Sequence, residues 1–455
     1  MSLEIHINNK ASFHHGKPVI FCMPDIKDSE IFIQLGYQYH LNIILLIKKK
    51  WLDSTDCSSA LAYLVLDDPL AENISKRITT AIKQVKDTLA ILSDPIHIDY
   101  FIAFSELHVE LMATIAADIN QDNHVVDVAR SFRDKWVMRN LANENGISCP
   151  KFTLASEMLN SPEHFRRFVE SVEQSAKDKG NQSGFIVKPR SFWGSMGVTA
   201  HSNPASLLRT LQQLDTPEEY LVEEKIQGNL LHVDTAVLRH KIIYQGIGVY
   251  CCSLLSTDQT ADEQTELSHF IWHTMRPDSP DSHRLFKFNQ QVLQAFNLEY
   301  GFTHTEIFIE ENTNELVLCE TASRPPGIKL FDLHAQAYNK HAFDVFINAL
   351  ISPPSVYTEN HIEKTDANCI GLIIFNPPIG RVEFITPIED IIDEHVIEWE
   401  QYAKTGSCFS NTHYTEKMGY IICSAKNEHE CKAYLNNYNN KFRYTTYPVI
   451  KTKQD

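Results

Sequence analysis

The sequence predicts a multidomain protein of the α/β and α+β classes, and three observations carry that prediction. Short apolar runs alternate with segments of helical period between residues 19 and 119, the pattern of a parallel sheet with crossover helices. Further on, Thr303–Glu310 and Glu315–Glu320 are rich in β-branched and apolar residues and flank the polar turn Glu311-Asn312-Thr313-Asn314, which reads as a β-hairpin. At 455 residues the chain exceeds one ordinary core and suits two to four packed domains or subdomains.

Taken in order, Val19–Met23 is a short apolar strand and Ser29–Tyr39 carries Ile31, Leu35 and Tyr39 at helical spacing. Asn42–Ile47 and Ala62–Leu66 are further strands, followed by a helix through Ile74–Leu92 and a strand at Tyr100–Phe104. Glu106–Ile119 is an amphipathic helix whose first residue suits a helix start, where the macrodipole favours an anion. A second helix carries Arg133-Asp134-Lys135-Trp136-Val137-Met138-Arg139, ends at Asn145-Gly146 and is followed by Ile147-Ser148-Cys149-Pro150. Ser161–Ala176 is another helix with a solvated charged face.

Gly184–Pro189 is a strand that delivers Lys188 inward. Beyond it, Gly194-Ser195-Met196-Gly197 can turn tightly enough for backbone N–H groups to approach phosphate oxygens, although two glycines in a hairpin also make a plain turn. It is not a P-loop, because no GxxxxGK[ST] precedes a helix. Tyr220–Gly228 is an apolar strand running into a linker with an exposed backbone edge, and Val233–Leu238 with Lys241–Val249 form a hairpin. Ser253–Asp281 reads as a polar loop holding His269, Trp272, His273 and Arg276, and Phe286–Phe296 as a helix.

The hairpin of residues 303–320 offers one carboxylate per strand, Glu306 and Glu320, among Ile307, Phe308, Leu318 and Cys319. An ionised carboxylate in such company must be paired or bound to a cation, unless the hairpin lies at the surface and its acids are solvated. Mg²⁺ usually takes one or two protein carboxylates and keeps its other positions for water and phosphate. Arg324 follows closely, and a guanidinium suits a phosphate or a carboxylate. A helix at Leu333–Ile351 and a boundary from Ser352 to Lys364 follow. The tail holds a strand at Gly371–Phe375, a turn at Pro377–Val382, and the segments Tyr402–Gly406 and Met418–Ile422.

Composition narrows the function. A hydrophobic content of 43% with 22% charged residues is ordinary for a globular enzyme, and a net charge of −17 argues against a nucleic-acid partner. The basic run Lys48-Lys49-Lys50 reads as a solvated strand end. Ten cysteines without CxxC spacing read as reduced thiols of a cytoplasmic protein. Residues 1–13 are too polar for a signal peptide, and no apolar run reaches the ~20 residues of a membrane helix. No zinc, Ser-His-Asp or dinucleotide fingerprint is found.

In order and spacing, the lysine helix, the lysine strand with its glycine loop, the linker and the two-glutamate hairpin resemble the ATP-grasp superfamily. The likeness is greatest to bacterial L-amino-acid (dipeptide) ligases of the bacilysin-synthetase type. The resemblance implies an ATP-grasp fold with an N-terminal parallel α/β domain (residues 1–128), a nucleotide lid with the glycine loop (129–225), a catalytic subdomain with the metal hairpin (226–355) and a small C-terminal α+β domain (356–455). It implies that Lys135 meets the ATP α-phosphate, that Lys188 and Gly194, Ser195, Met196 and Gly197 cover the β- and γ-phosphates, and that Glu223, Glu224, Lys225 and Ile226 contact adenine. Leu230 stands where the family has its ribose-binding Glu, and Asp234 or Glu223 is the substitute. Glu306 and Glu320 are the implied ligands of Mg²⁺, or of Mn²⁺, and Ala322 stands where most members have Asn.

The resemblance further implies substrate contacts by Glu106, by His304 of His304-Thr305-Glu306, and by Gly327 and Ile328. His273 or Arg276 would orient an acyl phosphate or a substrate carboxylate, and Arg324 would stabilise the acyl phosphate. The implied activity is ATP-dependent joining of a carboxylate to an amino-acid amine, making a dipeptide. Alternatives are a non-amino-acid carboxylate in a peptide natural-product pathway, or a nucleotide-binding protein without turnover. The partners expected are small molecules, with neither nucleic acid nor membrane, and a homodimer stays open.

Overall fold

Continuous apolar runs bury on both faces of a sheet, and three of them form the centre of the N-terminal one. The computed structural model describes residues 3–8, 11–24, 29–68, 73–90, 96–252, 269–353, 368–410 and 416–447. Strands β1 (Leu3–Ile7), β2 (Val19–Met23), β3 (Asn42–Lys48), β4 (Ala62–Leu66) and β5 (Tyr100–Ala103) form a sheet of order β1-β4-β3-β2-β5. All pairs are parallel except β1 with β4, so the polar N-terminal run is an antiparallel edge strand that the periodicity did not reveal. Helices α1 (Ser29–Gln38) and α2 (Ile74–Ala90) are the crossovers. The predicted end of the latter at Leu92 lies outside the described residues. Glu106 opens a 3₁₀ turn, Glu106–His108, before α3 (Val109–Asn120) and α4 (His124–Ser131).

Helix α5 (Lys135–Glu144) starts where it does because Asp134 caps it, accepting from the Trp136 amide. A four-stranded antiparallel sheet follows from β6 (Phe152–Leu154), β7 (Phe185–Pro189), β8 (Thr199–His201) and β9 (Tyr220–Glu224), in the order β6-β9-β7-β8. Helices α6 (Ala155–Asn160), α7 (Pro162–Asp178) and α8 (Pro204–Leu211) pack on it through Val172, Phe185, Leu207 and Val222. Ser161 caps α7 and Pro162 takes its first position, where a missing N–H costs nothing.

The central sheet is antiparallel throughout and collects strands from both sides of residue 355. It contains β10 (Gly228–Leu238), β11 (Lys241–Tyr250), β12 (Phe270–Thr274), β13 (Tyr300–Glu310), β14 (Leu316–Ala322) and β15 (Cys369–Phe375). After β16 (Gly380–Ile385) come β17 (Val396–Gln401), β18 (Cys408–Phe409), β19 (Gly419–Ala425) and β20 (Tyr444–Tyr447). The eight-stranded order is β14-β13-β10-β11-β12-β15-β19-β17, while β18-β16-β20 make a separate small sheet. Where a polar loop is expected over Ser253–Asp281, Phe270–Thr274 is instead a fully buried strand, and residues 253–268 lie outside the described residues. The helix expected at Leu333–Ile351 is two, α10 (Leu330–Tyr338) and α11 (Ala342–Ile351), because Asn339 adopts the left-handed region at φ 55° and ends the first. Helix α9 (Pro280–Ala295) begins a turn and a half before the expected Phe286, capped by Ser279. The expected boundary at Ser352–Lys364 lies mostly outside the described residues, and α12 (Glu428–Lys441) covers the C-terminal strands.

One apolar core fixes the N-terminal sheet to the central one. Phe32 of α1 meets Phe302 of β13 at 6.2 Å and Phe343 of α11 at 5.5 Å between ring centroids, and Phe302 meets Phe346 at 4.8 Å. Each such ring, fully buried, contributes roughly 1.5–3 kcal/mol. The C-terminal ends of β2 and β5 are thereby held against the hairpin that carries the two predicted metal ligands.

Candidate active site

The four-stranded sheet and the central sheet face each other across a cavity of about 470 Å³. Its lining includes Lys135, Lys188, Gly194, Ser195, Met196, Glu223, Glu224, Lys225, Ile226, Glu306 and Glu320, residues spread over 186 positions of sequence and brought together by the fold. Leu230, Ile186, Ala200 and Phe308 supply apolar wall.

Glu306 on β13 stands directly opposite Glu320 on β14 in register, next to a bulge between Glu306 and Ile307. A bulge re-aims side chains, and here both carboxylates reach the cavity. Lys135 Nζ lies 3.3 Å from Glu320 Oε2. Burial pushes the Glu320 carboxyl up, but Lys135 and Lys188 outweigh it and hold the group at about 2. Glu306 Oε1 accepts from the Tyr250 hydroxyl at 3.2 Å. The donor set is hard oxygen, partly exposed, and paired with an ammonium that a cation can replace, so these residues fit Mg²⁺ or Mn²⁺.

The side formed by the four-stranded sheet and α5 is built around a buried ion triad. Glu223 receives Lys188 Nζ at 2.7 Å on Oε2 and Arg139 Nε at 2.8 Å on Oε1. Burial raises the Glu223 carboxyl, and the two cations more than offset that. Arg139 also donates to the Cys319 carbonyl, tying α5 to β14. Arg139 stands four residues after Lys135 on α5, which puts both on one helix face and is the one sequence signal for its role.

The glycine loop lies against the same cations. Lys135 Nζ donates to the Phe192 carbonyl at 2.7 Å, and the Lys135 amide donates to the Arg190 carbonyl at 2.9 Å. Gly194 and Gly197 have φ of 60° and 71°, and a Cβ at Gly197 would meet Pro189 Cγ at 2.9 Å. Glycine is needed at the second position on both counts. Gly197 belongs to the loop but not to the cavity lining.

Three expectations are corrected by placement. Asp234 is fully buried and cannot reach a ribose, because its carboxylate is enclosed by His304 Nδ1 at 2.6 Å, His334 Nε2 at 2.9 Å and His232 Nδ1 at 3.0 Å. His273 is not on a substrate loop: it is a fully buried residue of β12 whose Nδ1 lies 2.8 Å from the Thr274 carbonyl and 3.8 Å from Cys369 Sγ. Arg276 follows that strand and forks onto Asp278 at 3.0 Å through both Nε and Nη2. Neither lines the cavity.

His232, Asp234 and His334 also have the spacing of a metal triad. Proton placement argues against one. Trp272 Nε1–H donates to His232 Nε2 at 2.6 Å and can only donate, so the His232 proton sits on Nδ1, facing Asp234. A cation there would have to displace that proton. His304 bridges this enclosed group to the cavity, with Nε2 at 3.7 Å from Glu306 Oε1 and 3.3 Å from the Tyr250 hydroxyl. Burial lowers the His304 imidazole, and Asp234 and Glu306 reverse that, raising it to about 9.

Glu106 and Arg324 meet each other instead of the cavity. Arg324 Nε and Nη2 lie 3.2 and 3.1 Å from Glu106 Oε2, while Arg133 Nη1 lies 2.8 Å from Oε1. Gly327 is exposed, and Ile328 packs against the main core at φ 59°, a left-handed conformation unusual for a β-branched residue.

No family model matches the sequence, and no curated protein does. Solved structures do match. The chain resembles an L-amino acid ligase from Bacillus licheniformis at TM-score 0.63 and 15% identity, covering 95% of this chain and 99% of that one. It resembles a carboxyaminoimidazole ribonucleotide synthase from Aspergillus clavatus complexed with ATP at TM-score 0.62 and 12% identity, over 94% and 99%. A phosphoribosylglycinamide synthetase from Anaerococcus prevotii matches at TM-score 0.60 and 13% identity, over 95% and 100%.

Proposed function

From the ATP-grasp fold that this chain has, we propose that it is an ATP-dependent carboxylate–amine ligase that makes a dipeptide or related amide through an acyl phosphate. The observation that supports it most is the convergence of Lys135, Lys188, Glu306 and Glu320 on one cavity beneath a glycine loop. ATP lies with adenine against Ile186, Ile226 and Leu230 and its phosphates toward Lys135 and Lys188. Glu306 and Glu320 would hold Mg²⁺, or Mn²⁺, which would neutralise phosphate charge there. A substrate carboxylate oxygen attacks the γ-phosphorus, forming an O–P bond as the bridging bond to ADP breaks. Lys188, leaving Glu223 to Arg139, follows the transferring phosphoryl group. The amine of a second substrate then attacks the acyl carbon, phosphate departs with the C–O electron pair, and the amine gives up a proton. Arg324, paired with Glu106 beside the cavity in this structure, would turn from that carboxylate to stabilise the acyl phosphate, and the glycine loop excludes water that would otherwise hydrolyse it.

The resemblance in fold to an L-amino acid ligase favours amino acids as both substrates, and a cytoplasmic enzyme on small molecules is the setting proposed. A second reading, a nucleotide-binding protein without turnover, draws on Leu230 in the cavity wall and on Ala322 beside the hairpin acids. ADP release across a panel of amino acids and other carboxylates, with mass spectrometry of the products, separates them. An amide whose formation tracks ADP supports the ligase. ATP binding without amine-dependent ADP release from any pair removes it.

A further inference from the structure

Three charged groups from different parts of the chain form one line outside the cavity. Glu106, at the C-terminal end of the N-terminal sheet, gives one carboxylate oxygen to Arg324 and the other to Arg133. Arg133 sits at the α4–α5 junction and uses its second nitrogen, Nη2, to donate to the Ser191 carbonyl at 2.7 Å. Its guanidinium also lies 5.9 Å from the Trp193 ring. Ser191 and Trp193 belong to the segment leading into Gly194, so Arg133 grips the root of the glycine loop with one nitrogen and Glu106 with the other. Glu106 and Arg133 are 5% and 8% exposed, so the pairings are shielded from water and orientation-dependent.

We propose that Arg133 is a positioning residue that couples the acyl-substrate end of the site to closure of the glycine loop. The idea rests on the ligase reading above for what Arg324 holds. An anion arriving at Arg324 competes with Glu106 for that guanidinium. Glu106 then relies more on Arg133, and Arg133 fixed on Glu106 keeps Ser191 and Trp193 in the closed arrangement. The loop is thus held shut when an acyl phosphate is present to be protected. Lys135 grips the neighbouring Phe192 carbonyl but also pairs with Glu320, so it reports on the nucleotide end only. A planar, forked cation is required, because two acceptors on separate elements must be met at once.

The test uses the full chain with Arg133→Gln and Arg133→Lys. Amide formed per ADP released is measured with the substrate pair found by the screen. Acrylamide quenching of Trp193, isolated by difference from Trp193→Phe, is measured with Mg²⁺ and a non-hydrolysable ATP analogue. Expected is a fall of about tenfold in amide per ADP for Arg133→Gln, with Trp193 more quenched and ATP still bound. Arg133→Lys keeps the charge beside Glu106 and the thermal midpoint but recovers little of the ratio, which a purely structural role would not produce. If Arg133→Gln fails to fold, Arg133→Lys carries the comparison alone. Unchanged quenching and unchanged amide per ADP in Arg133→Lys or Arg133→Gln overturn the coupling while leaving the ligase intact. If no substrate pair is found, quenching still decides the grip on the loop.

Discussion

Two carboxylate sites lie side by side on one face of the central sheet and differ in what surrounds them. Glu306 and Glu320 face a cavity, a tyrosine hydroxyl and lysine ammonium groups on flexible stems. Asp234, whose register partner is His304, is walled in by three imidazole rings and has no exposure. A lysine can swing aside and yield its place to a cation or a phosphate. Rings packed between the sheet and α10 cannot, and both oxygens of Asp234 already face imidazole nitrogens. The contrast teaches that an acidic residue on a strand of this sheet is chemical or structural according to the mobility of its partners. His304 stands between the two, touching Asp234 with one nitrogen and facing Glu306 with the other.

The largest expected effect falls on the open site. Glu320→Ala lowers amine-dependent ADP release by about 10³-fold and costs less stability than a change at the enclosed site, because the buried Lys135 ammonium it leaves behind still donates to the Phe192 carbonyl. Lys188→Ala does the same to turnover, and the fold tolerates it because Glu223 keeps Arg139. Near-parent ADP release in either variant would remove the open site from the chemistry. The enclosed site responds in the other currency. Asp234→Asn leaves three imidazoles around a neutral amide, and breaking so buried a cluster costs about 3–5 kcal/mol in urea denaturation. A loss as large from Glu320→Ala, or almost none from Asp234→Asn, breaks the distinction.

How much of this was readable in the sequence follows the same line. Lys135, Lys188, the glycine loop and the hairpin acids were legible because each rides on a local pattern: a cap, an apolar strand, a turn. The parallel N-terminal sheet was legible because its strands are apolar on both faces. What failed depends on pairing across long gaps. His273 and Trp272 read as loop residues, since Phe270–Thr274 is short and follows a long polar stretch, and only β11 and β15 on either side make it a strand. Asp234 looked available because nothing local announces His334, a hundred residues away, as its partner. Nothing local marks Arg133 and Tyr250, whose partners Glu106 and Glu306 are 27 and 56 positions distant.

The smallest effect expected is also the one that separates the two sites by proton. His304 is raised from 6.5 to about 9, so the folded chain holds a proton that the unfolded chain sheds above pH 6.5. Its contribution is therefore full below pH 6.5 and declines as the pH rises through 9, amounting to about 3 kcal/mol. His232 works in the opposite sense. Burial first of all, with the neighbouring His304 and His334, lowers it despite Asp234, and the Trp272 donor fixes its neutral form, so stability declines as pH falls below 6.5 and the unfolded chain takes up a proton. Glu320, held at about 2, acts only in a lower window, its contribution being lost as pH falls from 4.5 toward 2. Urea midpoints in chelator-containing buffer should accordingly peak near pH 6.5. His304→Gln should flatten the alkaline limb while leaving the acid limb in place. An alkaline limb that survives His304→Gln would mean the bridging ring carries no extra proton, and that the open and enclosed carboxylates are electrically separate.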